Sequence, residues 1–308
     1  MSNKEFTIDN VKESVLNEIS INTRFLFNEL ELQMLVAHRL ENDFKANDGY
    51  IVHLEYRLPK GWNNKFDEAY TPWGETPYFD IVLEHVEEGK SQYIGIELKY
   101  KLKEVNLKAE ETAFKRFGTL PSRQPETKAN KNGIKLVSNQ AAENEGRYDF
   151  WKDVKRLELL AQHFNESVIG GIAIFLTNQS SYYSKKDNTK YKYSAFNFTY
   201  KERGKPLNWN HMAKSATDAD GNLVIPKWCQ MSNSSCLSCE SPCGEDKKES
   251  MAPDKCKEFS HFKRPNFKFN RDYEIFWYGK EGCLTERPLG QTFYCCYVTI
   301  PKWQAKDE

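Results

Sequence analysis

The 308-residue chain has no cysteine before Cys229, no excess of either charge and no long apolar run. Each absence excludes something. The longest apolar run, Val168 to Leu176, is less than half of the roughly 20 residues that span a bilayer as a helix. The opening MSNKEFTIDN lacks the apolar stretch of an export signal, so a cytoplasmic location is expected. Formal net charge is zero, 44 basic against 44 acidic residues. That balance argues against a coat that binds nucleic acid without selection. Without an export signal, cysteines clustered late in the chain argue for metal binding over disulfides. No P-loop, dinucleotide-binding glycine pattern or HExxH stretch occurs. NTPase, nicotinamide and zinc-protease chemistries therefore lack support.

What is present is core material and polar surface. Apolar residues make up 39% and aromatics 14%, enough for one large domain or a domain carrying a small module. Mean hydropathy is −0.75. Residues 24–44 show helical periodicity, with Leu26, Leu30, Met34, Ala37 and Phe44 on one side. Residues 50–58 read as a strand ended by Pro59, and 61–77 as a loop. Segments 77–86 and 93–102 flank the polar EEGKSQ, a hairpin signal. A second helix is expected over about 148–164, with Phe150, Val154, Leu157, Ala161 and Phe164 buried. Residues 168–178 and 292–300 read as buried strands, and 207–270 as irregular. Helices alternate with strands, which predicts an α/β fold with a central mixed sheet flanked by helices. Three parts follow: a core over 1–206, a Cys-rich module over 207–270, and a segment over 271–308 that returns a strand to the core.

The hairpin carries the chemistry. With its turn centred near Gly89–Lys90, position 80 falls across from 98 or 99, and opposed Cβ atoms lie about 5 Å apart. Glu97 and Lys99, two apart on one strand, share a face, while Ile96 and Leu98 point the other way. One Asp, one Glu and one Lys thus meet on a sheet surface. Two carboxylates and the Leu98 carbonyl make the hard oxygen site that Mg²⁺ prefers. A neighbouring lysine orients a water, offsets phosphoryl charge or, with a depressed pKa, takes the water's proton.

Asp80 followed by Glu97-Leu98-Lys99 resembles the D…ExK signature of the PD-(D/E)xK nuclease superfamily, which includes restriction endonucleases, Holliday-junction resolvases and recombination nucleases. Phe79 stands where the signature has Pro. The resemblance implies a restriction-endonuclease-like core over residues 24–178 and Mg²⁺-dependent cutting of double-stranded DNA by a homodimer, with restriction or phage defence as the expected setting. It also implies a further Glu from the first helix, Glu29 in preference to Glu31. Glu41 is expected to be partly buried. The Gln-x-x-x-Tyr motif of some exonuclease branches is missing, since Gln140 and Tyr148 are too far apart. An RNA-processing nuclease and a non-cutting nucleic-acid-binding protein are the alternatives.

From Lys99 to Lys135 ten basic residues face four acidic ones, a local net of 10 − 4 = +6. Lys115, Arg116 and Arg123 are the expected phosphate contacts there. Asp149, Asp153 and Arg156 lie along one edge of the second helix, as a charge ladder or with Arg156 reaching the phosphate backbone. The spacing Cys229-x6-Cys236-x2-Cys239-x3-Cys243 predicts a Zn²⁺ site or a [4Fe-4S] cluster. Cys256 is the alternative to Cys229 as fourth ligand. Of Cys295 and Cys296 at least one is expected to fill core.

Overall fold

The computed structural model describes residues 5–22, 24–45, 48–58, 63–70, 77–107, 134–137, 143–183, 207–208, 269–271, 273–287 and 291–304. Two helices open the chain. Helix α1 (Ile8–Ile21) starts at Thr7, whose side chain accepts from the Asn10 amide, and buries Val11, Val15, Leu16 and Ile19. Helix α2 (Glu29–Asp43) starts at Asn28. The Asn28 side chain accepts from the Glu31 amide at 2.9 Å, and the Glu31 carboxylate accepts from the Phe27 amide at 2.8 Å. These two bonds satisfy donors that a helix start otherwise leaves open.

The cap corrects the expected apolar face. Because the helix begins at 29, its buried stripe is Leu32, Val36, Ala37 and Leu40, with Phe44 just beyond. Leu30 and Met34 lie outside, 59% and 53% exposed. Glu41 is solvated rather than partly buried, 63% exposed beside His38.

The strands are β1 (Tyr50–Arg57), β2 (Tyr78–Glu87), β3 (Lys90–Lys101), β4 (Val105–Leu107), β5 (Ile134–Val137), β6 (Val168–Thr177), β7 (Leu207–Asn208), β8 (Glu274–Arg287) and β9 (Gln291–Pro301). Three further helices are α3 (Asn64–Tyr70), α4 (Glu143–His163) and α5 (Ser180–Tyr183). The main sheet has the order β1-β2-β3-β6-β9-β8, with two-residue β7 outside β8, and β4 pairs β5 separately. Only β3 and β6 run parallel, the rest being antiparallel, so the sheet is mixed. The C-terminal part returns two strands, one more than expected.

Alternation along β3 and β6 builds two cores. Ile94, Ile96, Leu98, Ile172, Ile174 and Leu176 face α1 and α2. Ala173, Phe175, Cys296 and Val298 face α3 and α4, against Trp151, Val154, Leu157 and Ala161. Both Cys295 and Cys296 are buried, one in each core. Gly95 lets α4 settle on the sheet, since a Cβ there would lie 2.7 Å from Leu157 Cδ2. Among the described residues no helix is long and apolar enough to cross a membrane.

The β2–β3 turn is tighter than EEGKSQ suggests. Glu87 pairs with Lys90, leaving Glu88 and Gly89 as a two-residue loop with φ of 50° and 75°. Positive φ at both positions is what a type I′ hairpin turn requires. The register then runs from Glu87↔Lys90 to Ile81↔Ile96. Position 80 therefore comes level with Glu97, not with 98 or 99.

Candidate active site

Strands β2 and β3 cease to pair after Ile81↔Ile96. Asp80 is the next residue on β2, and its Oδ2 accepts from the Leu98 amide at 2.6 Å. A side-chain carboxylate thus continues the ladder where the backbones part. On β3, Ile96 and Leu98 enter the core under α1 and α2, while Glu97 and Lys99 engage α4.

A chain of alternating charges runs from there. Glu97 Oε1 lies 3.2 Å from Arg156 Nη2, and Arg156 Nη1 lies 3.2 Å from Asp153 Oδ1. Asp153 Oδ2 is 3.5 Å from Lys99 Nζ, which is 3.3 Å from Glu29 Oε1. The other oxygen of Glu29 accepts from the Tyr100 amide at 2.8 Å. Helix α2 also reaches β2, because buried Gln33 donates through Nε2 to the Asp80 carbonyl and to Glu55 Oε1.

The cluster is acidic. Asp80, Glu97, Asp153 and Glu29 gather about Lys99 and Arg156, so these six groups, ionised, hold 2 − 4 = −2. Burial raises the Asp80 carboxyl to about 7, with Asp153 and Glu29 adding to the rise and Lys99 and the Leu98 amide opposing it. Burial likewise pushes Glu97 well above the usual range; Arg156 opposes this and the carboxylates of Asp80 and Asp153 reinforce it. For Lys99, burial alone would favour the neutral amine. Asp153, Glu29, Asp149 and Asp80 together outweigh it and hold the ammonium well above its ordinary value. The depressed lysine pKa needed for proton abstraction is therefore absent here.

The structure brings together Asp80, Glu97, Lys99 and Glu29, and it seats Glu31 in the cap of α2. Arg156 is not at the surface awaiting phosphate. It is 6% exposed, paired with Glu97 and Asp153, and its guanidinium lies 5.4 Å from the ring centroids of Tyr78 and Phe79. Asp153, read above as a rung of a ladder, is a member of the cluster; its sequence signal is its place three residues before Arg156 on the face toward β3. Gln33 and Glu55 had no signal beyond polarity. Lys115, Arg116, Arg123, Cys229, Cys236, Cys239, Cys243 and Cys256 lie outside the described residues.

Among the described residues no three or more His, Cys, Asp or Glu are grouped to hold a metal ion. Mg²⁺ does not require such a group, because it is commonly held by one or two carboxylates, waters and substrate phosphate. The donors fit it in two respects. Asp80 and Glu97 are adjacent hard-oxygen ligands in a site with surplus acid. In addition, buried Glu97 Oε1 and Asp153 Oδ2 have no hydrogen-bond partner. Arg156 is near enough to Glu97 Oε1 for an ion pair, but misaligned for a hydrogen bond. The chain matches no family model, no curated protein and no solved structure.

Proposed function

We propose that this protein is a metal-dependent nuclease of the PD-(D/E)xK kind, with a restriction-endonuclease-like core, that hydrolyses phosphodiester bonds of double-stranded DNA. The observation that carries the reading is the meeting of Asp80, Glu97 and Lys99 where β2 and β3 part. Asp80 and Glu97 would hold Mg²⁺, joined by the Leu98 carbonyl. Bound there, the ion would acidify a water and neutralise charge on the phosphoryl oxygens.

The protein's own groups do the rest. Lys99, kept as an ammonium by Asp153 and Glu29, orients the water and donates to a phosphoryl oxygen as negative charge grows. It is an electrostatic stabiliser and not the base. Glu29 fixes the reach of that ammonium while tying α2 to β3 through Tyr100. Arg156 compensates Glu97 from beneath. Lys115, Arg116 and Arg123 hold the phosphate backbone. Cys229, Cys236, Cys239 and Cys243 bind Zn²⁺ or a [4Fe-4S] cluster, with Cys256 the alternative to Cys229. A cytoplasmic homodimer engaged in restriction or phage defence suits these parts.

One observation favours a second reading, a nucleic-acid-binding protein that does not cut: the Arg156 guanidinium already balances the charge of Glu97, which a metal would have to share with it. Plasmid DNA and a structured RNA, each incubated with purified protein in Mg²⁺ and in EDTA, separate the possibilities. Mg²⁺-dependent plasmid cleavage is expected, reduced about 10²-fold or more in Asp80→Ala and Lys99→Ala. Binding without cleavage sinks the enzyme in favour of the second reading, and cleavage of RNA alone assigns the other substrate.

A further inference from the structure

Asp80 is the residue on which the site depends, yet neither neighbouring strand holds its backbone in register. On the β3 side the ladder ends at Ile81↔Ile96. On the β1 side the partners are Leu54↔Ile81 and Tyr56↔Phe79, and the pair between them is missing. Glu55, the residue level with Asp80, has φ +50°. That left-handed conformation is costly for a side-chain-bearing residue and twists its peptide out of the ladder. The Asp80 carbonyl thus loses its strand partner and receives the Gln33 amide instead.

Gln33 suits this task. It is 3% exposed, in the first turns of α2, and its Nε2 divides its hydrogens between the Asp80 carbonyl and the Glu55 carboxylate. Four residues earlier on the same helix, Glu29 accepts from Tyr100 on β3. Residues four apart lie one above the other on a helix face. One face of α2 therefore grips both strands, β2 through Gln33 and β3 through Glu29.

We propose that Gln33 is a positioning residue for Asp80, anchored by Glu55, and that the left-handed Glu55 frees the Asp80 carbonyl for it. The role in metal binding rests on the nuclease reading above; the positioning does not. Gln33 sets the β2 backbone so that the Asp80 carboxylate meets the Leu98 amide and stands beside Glu97. Without it the Asp80 peptide has no fixed partner, and the carboxylate loses its aim although every proposed metal ligand is still present.

The test uses the full chain as wild type, Gln33→Leu, Glu55→Gly and, as a control on the same helix, the solvated Glu41→Gln. Hydrogen–deuterium exchange is followed in EDTA at the amides of Leu98, Ile94 and Ile96. The Mg²⁺ concentration for half-maximal cleavage is measured alongside. In Gln33→Leu and Glu55→Gly the Leu98 amide should exchange about tenfold faster, the worth of roughly one hydrogen bond. Ile94 and Ile96 should keep their rates, and half-maximal cleavage should need about tenfold more Mg²⁺. Glu55→Gly relieves the positive φ and should melt no lower than wild type, so it decides the matter even if Gln33→Leu fails to fold. An unchanged Leu98 rate in the variants that fold, or equal acceleration at all three amides, overturns the proposal. A wild type that cuts nothing removes the nuclease reading, and the exchange comparison still decides the positioning.

Discussion

Asp80 and Lys99 respond oppositely to the same surroundings. Burial disfavours both charges, but surplus carboxylates restore the cation and disfavour the anion further. A site built this way is loaded in the absence of metal and should become more stable when an acid is removed. Asp80 has a folded value of about 7 against an ordinary 3.8. Well below pH 3.8 both states hold the proton, and no penalty arises. As pH rises toward 7 the unfolded chain ionises first, so wild-type stability falls across that window. Asp80→Asn, neutral throughout, should therefore gain on wild type with pH. In EDTA the gain should grow from near zero around pH 3 to about 2–4 kcal/mol at pH 8. Denaturant melts at several pH values check this, and a gain that does not change with pH would refute the assignment. At this scale the sequence was informative where function and local pattern coincide. Asn28-x-x-Glu31 is a capping pattern, which leaves Glu29 free to turn inward. The Asp153–Arg156 pair was legible as a helix charge ladder, but the pairing of Arg156 with Glu97 was not, because it depends on where α4 crosses β3.

The elements that hold long periodic patterns were legible, and their ends were not. Strands β6 and β9 match the buried runs expected of them to within a residue or two, because only strands covered on both faces sustain such runs. Helix α2 was placed, but its face was misread. Counting the apolar period from Leu26 adds residues that precede the cap, and that shifts the stripe onto exposed Leu30 and Met34. Helix α1 was missed, since only four apolar residues, with Ser14, form its buried stripe among charged neighbours. Strand β8 was missed because Gly279 and the Lys280-Glu281-Gly282 that follow interrupt the alternation. The hairpin register slipped because the turn centres on Glu88–Gly89, one residue earlier than Gly89–Lys90, which moves the partner of position 80 from 99 to 97. That turn retains a correctable cost. Glu88 has φ 50° beside Gly89, whereas type I′ turns favour Asn-Gly. Glu88→Asn should stabilise the protein by about 0.5–1 kcal/mol without altering the register. Thermal melts measure it, and an unchanged or lower Tm would show that the turn is not strained in solution.

For the whole molecule, the sheet is assembled from distant parts of the chain. Strand β6 lies between β3 and β9, and β9 comes more than 110 residues after it. The returning chain is fastened to α4: fully buried Glu158 accepts from the Asn270 amide at 2.9 Å and the Tyr273 hydroxyl at 3.0 Å, and pairs with Lys155. The described residues that flank the Cys-rich sequence are held at β8 and α4, and composition could mark the module but not this anchorage.

Charge is organised at the same scale. The chain is neutral, yet the +6 stretch from Lys99 to Lys135 starts at the lysine of the candidate site and the buried cluster there is itself acidic. A polyanion is repelled by the carboxylates and must be held beside them by cations. If Lys115, Arg116 and Arg123 supply that hold, each releases counterions on binding, and log K falls with log salt by about 0.9 per phosphate contact on duplex DNA. Replacing all three with Ala should weaken binding and flatten the slope by up to about 2.7. Preference among sequences should barely change, since phosphate contacts position without reading bases. Titrations of wild type and triple variant at several salt concentrations, in Ca²⁺ to suppress cleavage, measure both quantities. An unchanged slope would move the hold to the other basic stretch, Lys185 to Lys205, where the same substitutions should then produce the effect.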